Sequence, residues 1–224
     1  MPEASRPMGR GSTSDCVVLI VEDDASIRDA LRRLFRREGL PVQVFESADA
    51  LLRAELPDLP SCLVLDIRLP GRSGLDLQGD LMSAGVQIPI VFITGHGDIV
   101  MSVQAMKAGA SDFLTKPFLA EDMLGAVASA IGKDRARRAE AAEQSVLRSR
   151  HDALSDRERD VMALATNGIL NKQIAWQLGL TEMTVKMHRG SVMRKMNAGS
   201  IAELVRMADR LKVREPGPPI TRER

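Results

Sequence analysis

Residues 19–28 read LIVEDDASIR. An apolar run ends at Val21 and meets three acidic side chains at once, Glu22, Asp23 and Asp24. Like charges side by side repel. Either the three cap the helix that follows, or something positive sits against them. Working outward from this junction, the same change from apolar run to amphipathic helical spacing recurs along the chain.

Apolar runs at 17–21, 42–45, 62–66, 90–94 and 112–115 alternate with helical patterns near 25–38, 48–55, 75–84, 98–108 and 119–131. Pro41, Pro89 and Gly109 break the connections. This rhythm predicts an α/β domain over 16–131, a doubly wound sheet of five parallel strands with helices on both faces. Residues 1–15, MPEASRPMGRGSTSD, are rich in Pro, Gly and Ser and lack the apolar core of a secretory signal, so a disordered leader is expected. No apolar run approaches the ~18 residues of a membrane helix, which predicts a cytoplasmic protein with no membrane contact. The spacing of Cys16 and Cys62 matches no metal motif, and both are expected as buried free thiols.

The 224 residues are 44% hydrophobic, 27% charged and carry a net charge of +1, which hides an asymmetry. Residues 16–131 hold 10 Lys/Arg against 16 Asp/Glu, whereas residues 152–211 hold 9 against 7. An acidic first part and a basic second part imply different partners. Between them, residues 132–152 are rich in Ala, Arg and Glu, so a solvated, partly helical linker is expected. The alternative is a continuous helix from 119 making a dimer contact, which an apolar stripe that fades after Ile131 disfavours.

Doubly wound sheets gather their chemistry at the carboxyl ends of the strands. Here those ends carry Glu22-Asp23, Asp66 and Thr94, and Lys116-Pro117 follows the fifth run. With strand order 2-1-3-4-5, the first and third strands are neighbours and three carboxylates share one pocket. Crowded carboxylates stay ionised only around a cation, and hard oxygen ligands suit Mg²⁺. A flavin phosphate would be repelled from this turn. A carboxylate beside Mg²⁺ is also a potential nucleophile that forms an aspartyl-phosphate, and the Thr94 hydroxyl and Lys116 ammonium are donors for phosphoryl oxygens. A haloacid-dehalogenase-type phosphatase needs an acid two residues after its nucleophile, where this chain has Arg68. Singly, each residue has a plain structural reading as a helix cap, a turn or a dipole partner. Their coincidence at four strand ends favours the shared site.

Residues 17–131 resemble the receiver domain of bacterial two-component response regulators, through LIVEDD, LVLDIRLPGRSGLDL, VFITGHGD and DFLTKPF. The resemblance implies a flavodoxin-like fold in which Asp66 accepts phosphate from a sensor histidine kinase. It implies Mg²⁺ held by Glu22, Asp23, Asp66 and the main-chain carbonyl of Arg68. Thr94 and Phe113 become the switch pair, Lys116 the phosphate contact, and Lys116–Pro117 a cis peptide. On phosphorylation Thr94 moves toward the new oxygens and Phe113 turns inward. The face of helix 98–108 and strand 112–115, with Ile99, Gln104, Lys107 and Asp112, then forms a homodimer. Asp24 is left as the lead into helix 25–38.

Residues 153–211 read as short helices only. Ser155 with Glu158 and Ser200 with Glu203 have the spacing of capping boxes. Helices at 171–178 and 182–196, split by Gly179-Leu180-Thr181, form a helix-turn-helix pattern whose second helix is basic. At 100° per residue, Val185, Val192 and Met196 share the core face with His188 beside them, and Met183, Lys186, Met187, Gly190 and Arg194 face outward. Cations mixed with methionine and glycine suit a DNA major groove. Trp176 is expected in the core, and the tail from Lys212, with REPGPP, is expected to be disordered.

Through LSDRERDVMALATNG, NKQIAWQLGL and TVKMHRGSVMRKM, this segment resembles the LuxR-type four-helix DNA-binding domain. Together the two parts resemble the NarL/FixJ family of response regulators, on the FixJ side. The resemblance makes Lys186 and Met187 the base readers, places Thr184 and Arg189 on phosphates, and leaves Gly190 where some relatives carry a cation. It implies a transcription factor that is not an enzyme, with double-stranded DNA and RNA polymerase as partners. Two rivals remain from other classes: a phosphatase or phosphotransferase, and an interaction module that acts without DNA.

Overall fold

The computed structural model describes residues 15–95 and 99–213, with backbone only for Ile99, Val100 and Ser102. The expected leader and tail, apart from Asp15, Lys212 and Val213, lie outside the described residues, as do His96 to Asp98 of the VFITGHGD motif. The chain divides into two compact units, with the boundary after Arg138.

In the first unit the strands are β1 (Val17–Val21), β2 (Val42–Phe45), β3 (Ser61–Asp66), β4 (Ile90–Thr94) and β5 (Asp112–Thr115). They form one parallel sheet in the order β2-β1-β3-β4-β5, as expected. Every residue of β1, β3 and β4 is buried, the condition of parallel strands covered on both faces. The helices are α1 (Ala25–Arg37), α2 (Ala48–Leu52), α3 (Gly74–Ser83), α4 (Ile99–Lys107) and the part of α5 (Ala120–Asp152) up to Arg138.

Alternation along the strands sorts the core into two layers. Val17, Leu19 and Val21 pack with Leu63, Leu65, Phe92, Leu77 and Leu81 on one side of the sheet. Val18 and Ile20 pack with Leu31, Phe35, Met123 and Val127 on the other. Each such side chain contributes about 1.5–3 kcal/mol on burial. Cys16 and Cys62 are free and buried, as expected.

The segment 132–152 is mostly exposed, as expected of a solvated linker, but it is helical throughout rather than in part. Helix α5 runs through it without a break to Asp152. Asp134 is fully buried and accepts the Ser61 N–H at the start of β3 at 2.9 Å. Arg137 and Arg138 hold the same carboxylate at 2.6 and 2.9 Å, and Arg138 also reaches Asp58 at 2.6 Å. Desolvation works to raise the Asp134 carboxyl, but the Arg137, Ser61 and Arg138 hydrogen bonds win and hold it below the ordinary carboxylate range.

The second unit contains α6 (Asp156–Thr166), α7 (Asn171–Leu178), α8 (Glu182–Met196) and α9 (Ile201–Leu211). Gly179, left-handed at φ 64°, ends α7 and makes the tight turn that only glycine adopts without strain. The Ser155–Glu158 capping box forms. The second expected box forms only in half: Ser200 accepts the Glu203 N–H, but the Glu203 carboxylate takes the Gly199 N–H at 2.8 Å. Trp176 corrects the core expectation, being 85% exposed. Ile174 and Ala175 are the buried residues of α7, and two positions beyond Ile174 is 200° of helix rotation, on the far side.

Candidate functional site

The site grows from strand pairing. β1 and β3 lie in register with Val21 opposite Leu65, so the residues that follow, Glu22 and Asp66, leave the sheet side by side. Glu22, Asp23 and Asp66 each offer a carboxylate oxygen, and the three oxygens lie within 4.8 Å of one another. Glu22 and Asp66 are buried and Asp23 is exposed, which leaves the cluster one open side.

The positive group asked for by the acidic turn is Lys116. Its Nζ lies 2.7 Å from Glu22 Oε2 and 2.6 Å from Asp66 Oδ2. The Lys116–Pro117 peptide is cis, as expected. Burial pushes the Glu22 carboxyl above its ordinary range, against the Lys116 hydrogen bond that pulls it down. Burial likewise opposes the Lys116 charge, but the Asp66 and Glu22 hydrogen bonds outweigh it and raise the ammonium above its ordinary value. The cation is therefore fixed in place.

Asp24 has a separate task. Its side chain caps α1 by accepting the Ser26 and Ile27 N–H groups at 2.7 and 3.2 Å. The Ile27 and Ser26 bonds hold its carboxyl below the usual range. Arg28, which the sequence reading passed over, donates through Nη1 to the carbonyls of Glu22 at 2.7 Å and Asp23 at 3.0 Å. That fixes the turn carrying both carboxylates. Arg68 donates its main-chain N–H to Asp66 Oδ1 at 2.9 Å.

Thr94 ends β4, is 1% exposed and lies 3.4 Å from the Gly95 carbonyl through its hydroxyl. Phe113 on β5 stands partly outward at 38% exposure. Gln104 and Lys107 are exposed on α4, and Asp112 is half-buried with its carboxylate on the Phe113 N–H. The side chain of Ile99 lies outside the described residues. An apolar groove of about 610 Å³ opens beside Lys116, walled by Ile27, Leu31, Leu34, Pro117 and Phe118.

In the second unit α8 has the two faces expected of it. Val185, Val192 and Met196 are buried and His188 is half-buried. Met183, Lys186, Met187, Gly190 and Arg194 are exposed. A Cβ on Gly190 would meet nothing within 4 Å, so packing inside the unit does not require glycine there. Thr184 shares a hydrogen bond with Thr181 at 2.9 Å, and Arg189 donates to Asn171 at 2.6 Å. Lys195 belongs to neither face as read from the sequence. It pairs with Glu158 at 2.7 Å and donates to the Ala153 carbonyl at 3.2 Å. Glu158 also accepts from Ser191 at 2.6 Å. The Lys195, Ser191 and Ser155 bonds hold its carboxyl at about 2. The capping box made half of this node legible; the partners on α8 have no local signal.

Comparison with known proteins divides the chain similarly. Residues 18–128 match the family described as response regulator receiver domain, and residues 152–208 match that of bacterial regulatory proteins, luxR family. Nodulation protein W of Bradyrhizobium diazoefficiens is 50% identical over 90% of this chain and 89% of its own length. The transcriptional regulatory protein FixJ of Rhizobium meliloti is 40% identical over 87% and 96%. Among solved structures, the response regulator StyR is 43% identical with a TM-score of 0.81, covering 88% of this chain and 99% of that one.

Proposed function

Since the chain belongs to the response regulators that join a receiver domain to a LuxR-type DNA-binding domain, we propose that phosphorylation of Asp66 by a sensor histidine kinase drives its dimerisation on DNA. The observation that carries this reading is Lys116, whose ammonium bridges Glu22 and Asp66 inside the three-carboxylate cluster. We take the receiver as 16–131 and the DNA-binding domain as 153–211, acting in the cytoplasm.

The donor set is all hard oxygen with one open side, which fits Mg²⁺. Glu22, Asp23, Asp66 and the Arg68 carbonyl would hold it, and when bound it offsets charge on the phosphoryl oxygens. Asp66 supplies the attacking oxygen: an O–P bond forms as the P–N bond of the phosphohistidine breaks. The Lys116 ammonium exchanges Asp66 Oδ2 for a phosphoryl oxygen, and the Thr94 hydroxyl donates to another. Phe113 then turns from its partly exposed position into the space Thr94 leaves. The groove of Ile27, Leu31, Leu34 and Phe118 gives the kinase an apolar surface beside the acceptor.

Reshaping α4 and β5 brings Ile99, Gln104, Lys107 and Asp112 into a two-fold contact. Two α8 helices then enter successive major grooves. Lys186 and Met187 read bases, Thr184, Arg189 and Arg194 meet the backbone, and Gly190 lets the helix approach closely. RNA polymerase is the downstream partner.

Labelling with a small radioactive phosphodonor tests the central claim. Wild type takes up label that is lost in alkali, as an acyl-phosphate is; Asp66→Asn takes up none. Persistent label on Asp66→Asn removes the assignment.

A further inference from the structure

At 85% exposure, Trp176 is the most exposed large apolar side chain among the described residues, and it is the chain's single tryptophan. It lies on the outer face of α7 with Lys172, Gln173 and Gln177, all exposed. Leu170, at the start of the helix, is 68% exposed. This face holds an indole, an aliphatic side chain, one cation and two amides, and α7 contains no acidic residue.

Duplex DNA does not account for the face. Ile174 and Ala175 of α7 and Val185 of α8 belong to one buried cluster, so each helix turns its outer face away from a shared core. The first helix of a helix-turn-helix meets phosphates, which would use Lys172. A phosphate backbone gives no apolar area for Trp176 and Leu170, and paired, stacked bases give the indole no free plane. Protein interfaces do use such residues, because tryptophan is enriched in them and anchors their energetics. A cation and two amides without an acid complement a carboxylate-bearing surface.

We propose that the outer face of α7, centred on Trp176, docks an acidic protein surface of the transcription apparatus that has a socket for the indole. This rests on the reading of the chain as a DNA-bound regulator. The partner is met while α8 occupies the groove.

The single tryptophan supplies the probe. Full-length protein labelled with 5-fluorotryptophan gives one ¹⁹F resonance. A duplex selected from random sequence should leave it in place, and duplex with RNA polymerase holoenzyme should shift or broaden it. Trp176→Ala removes an exposed side chain, so affinity for the duplex should stay within about two-fold of wild type, as for an ordinary surface change. Polymerase-dependent transcription from a template carrying that duplex should fall by about ten-fold or more, the effect of losing an interface anchor. A shift with duplex alone would make Trp176 a DNA contact and overturn the proposal, as would unchanged transcription by Trp176→Ala. Failure of both proteins to bind any duplex would instead overturn the DNA-binding reading beneath it.

Discussion

Gly74 packs on the main-chain carbonyl of Asp66 so closely that a Cβ atom there would overlap the oxygen. Its N–H also donates to the Ile67 carbonyl at 2.9 Å, so the first residue of α3 rests on the backbone of Asp66 and Ile67. Any larger residue must push the two apart. Gly74→Ala should lower stability by about 1–3 kcal/mol, as overpacking does, and should slow phosphorylation of Asp66 as well. Urea titration and phosphodonor kinetics check this; unchanged labelling kinetics would mean that the acceptor tolerates the shift.

Lys116 is a cation competing for the carboxylates that would bind the metal. Lys116→Met should destabilise the metal-free protein, because Glu22 and Asp66 keep their charges without compensation. It should also enlarge the rise in melting temperature that Mg²⁺ produces, since binding to the folded state alone stabilises it. Melting curves in chelator and in Mg²⁺ measure both. An equal rise in wild type and variant would show that Lys116 does not compete.

Glu158 sets an acid limit for the second unit. Its folded-state value of about 2 lies below the ~4.3 of an unfolded glutamate. The stabilisation is therefore fully present above about 4.3 and is lost as pH falls through 2. Glu158→Gln should lower stability at neutral pH and flatten its decline on acidification. Urea midpoints from pH 5 to pH 2 follow it, and an equally steep decline in the variant would place the acid sensitivity elsewhere.

Two lysines on α8 should part company on DNA. Lys186 is exposed on the outer face, whereas Lys195 is tied to Glu158. Lys186→Ala should cost about 1–3 kcal/mol of affinity if it reads a base, or reduce the salt slope by about 0.9 if it meets a phosphate. Lys195→Gln should lower thermal stability and leave the salt slope alone. A reduced slope for Lys195→Gln would put that side chain on the DNA.

The strand order and the carboxylate pocket were legible because they follow from local patterns joined by one topological rule. The turn at Glu22, the carboxylate of Asp66 and the cation at Lys116 each end or follow a strand, so a parallel sheet brings them together. Asp134 was not legible because its partner, Ser61, lies far away in sequence, and nothing local in an Ala- and Arg-rich helix marks one acid as buried. Trp176 was misread because residue type was weighed above its place on an eight-residue helix, whose buried positions were already filled by Ile174 and Ala175. The Ser200–Glu203 pair had the right spacing, yet the neighbouring Gly199 N–H took the carboxylate.

Cys16 and Cys62 are the chain's two cysteines, and both are buried and free. Burial pushes both thiols upward, Cys62 far above its ordinary value. The reactive species is the thiolate, so a maleimide or spin-label reagent at neutral pH finds no native target. A cysteine placed at exposed Gln104 or Lys186 becomes the one addressable handle, and distances across either proposed interface become measurable without stripping the native thiols from the core.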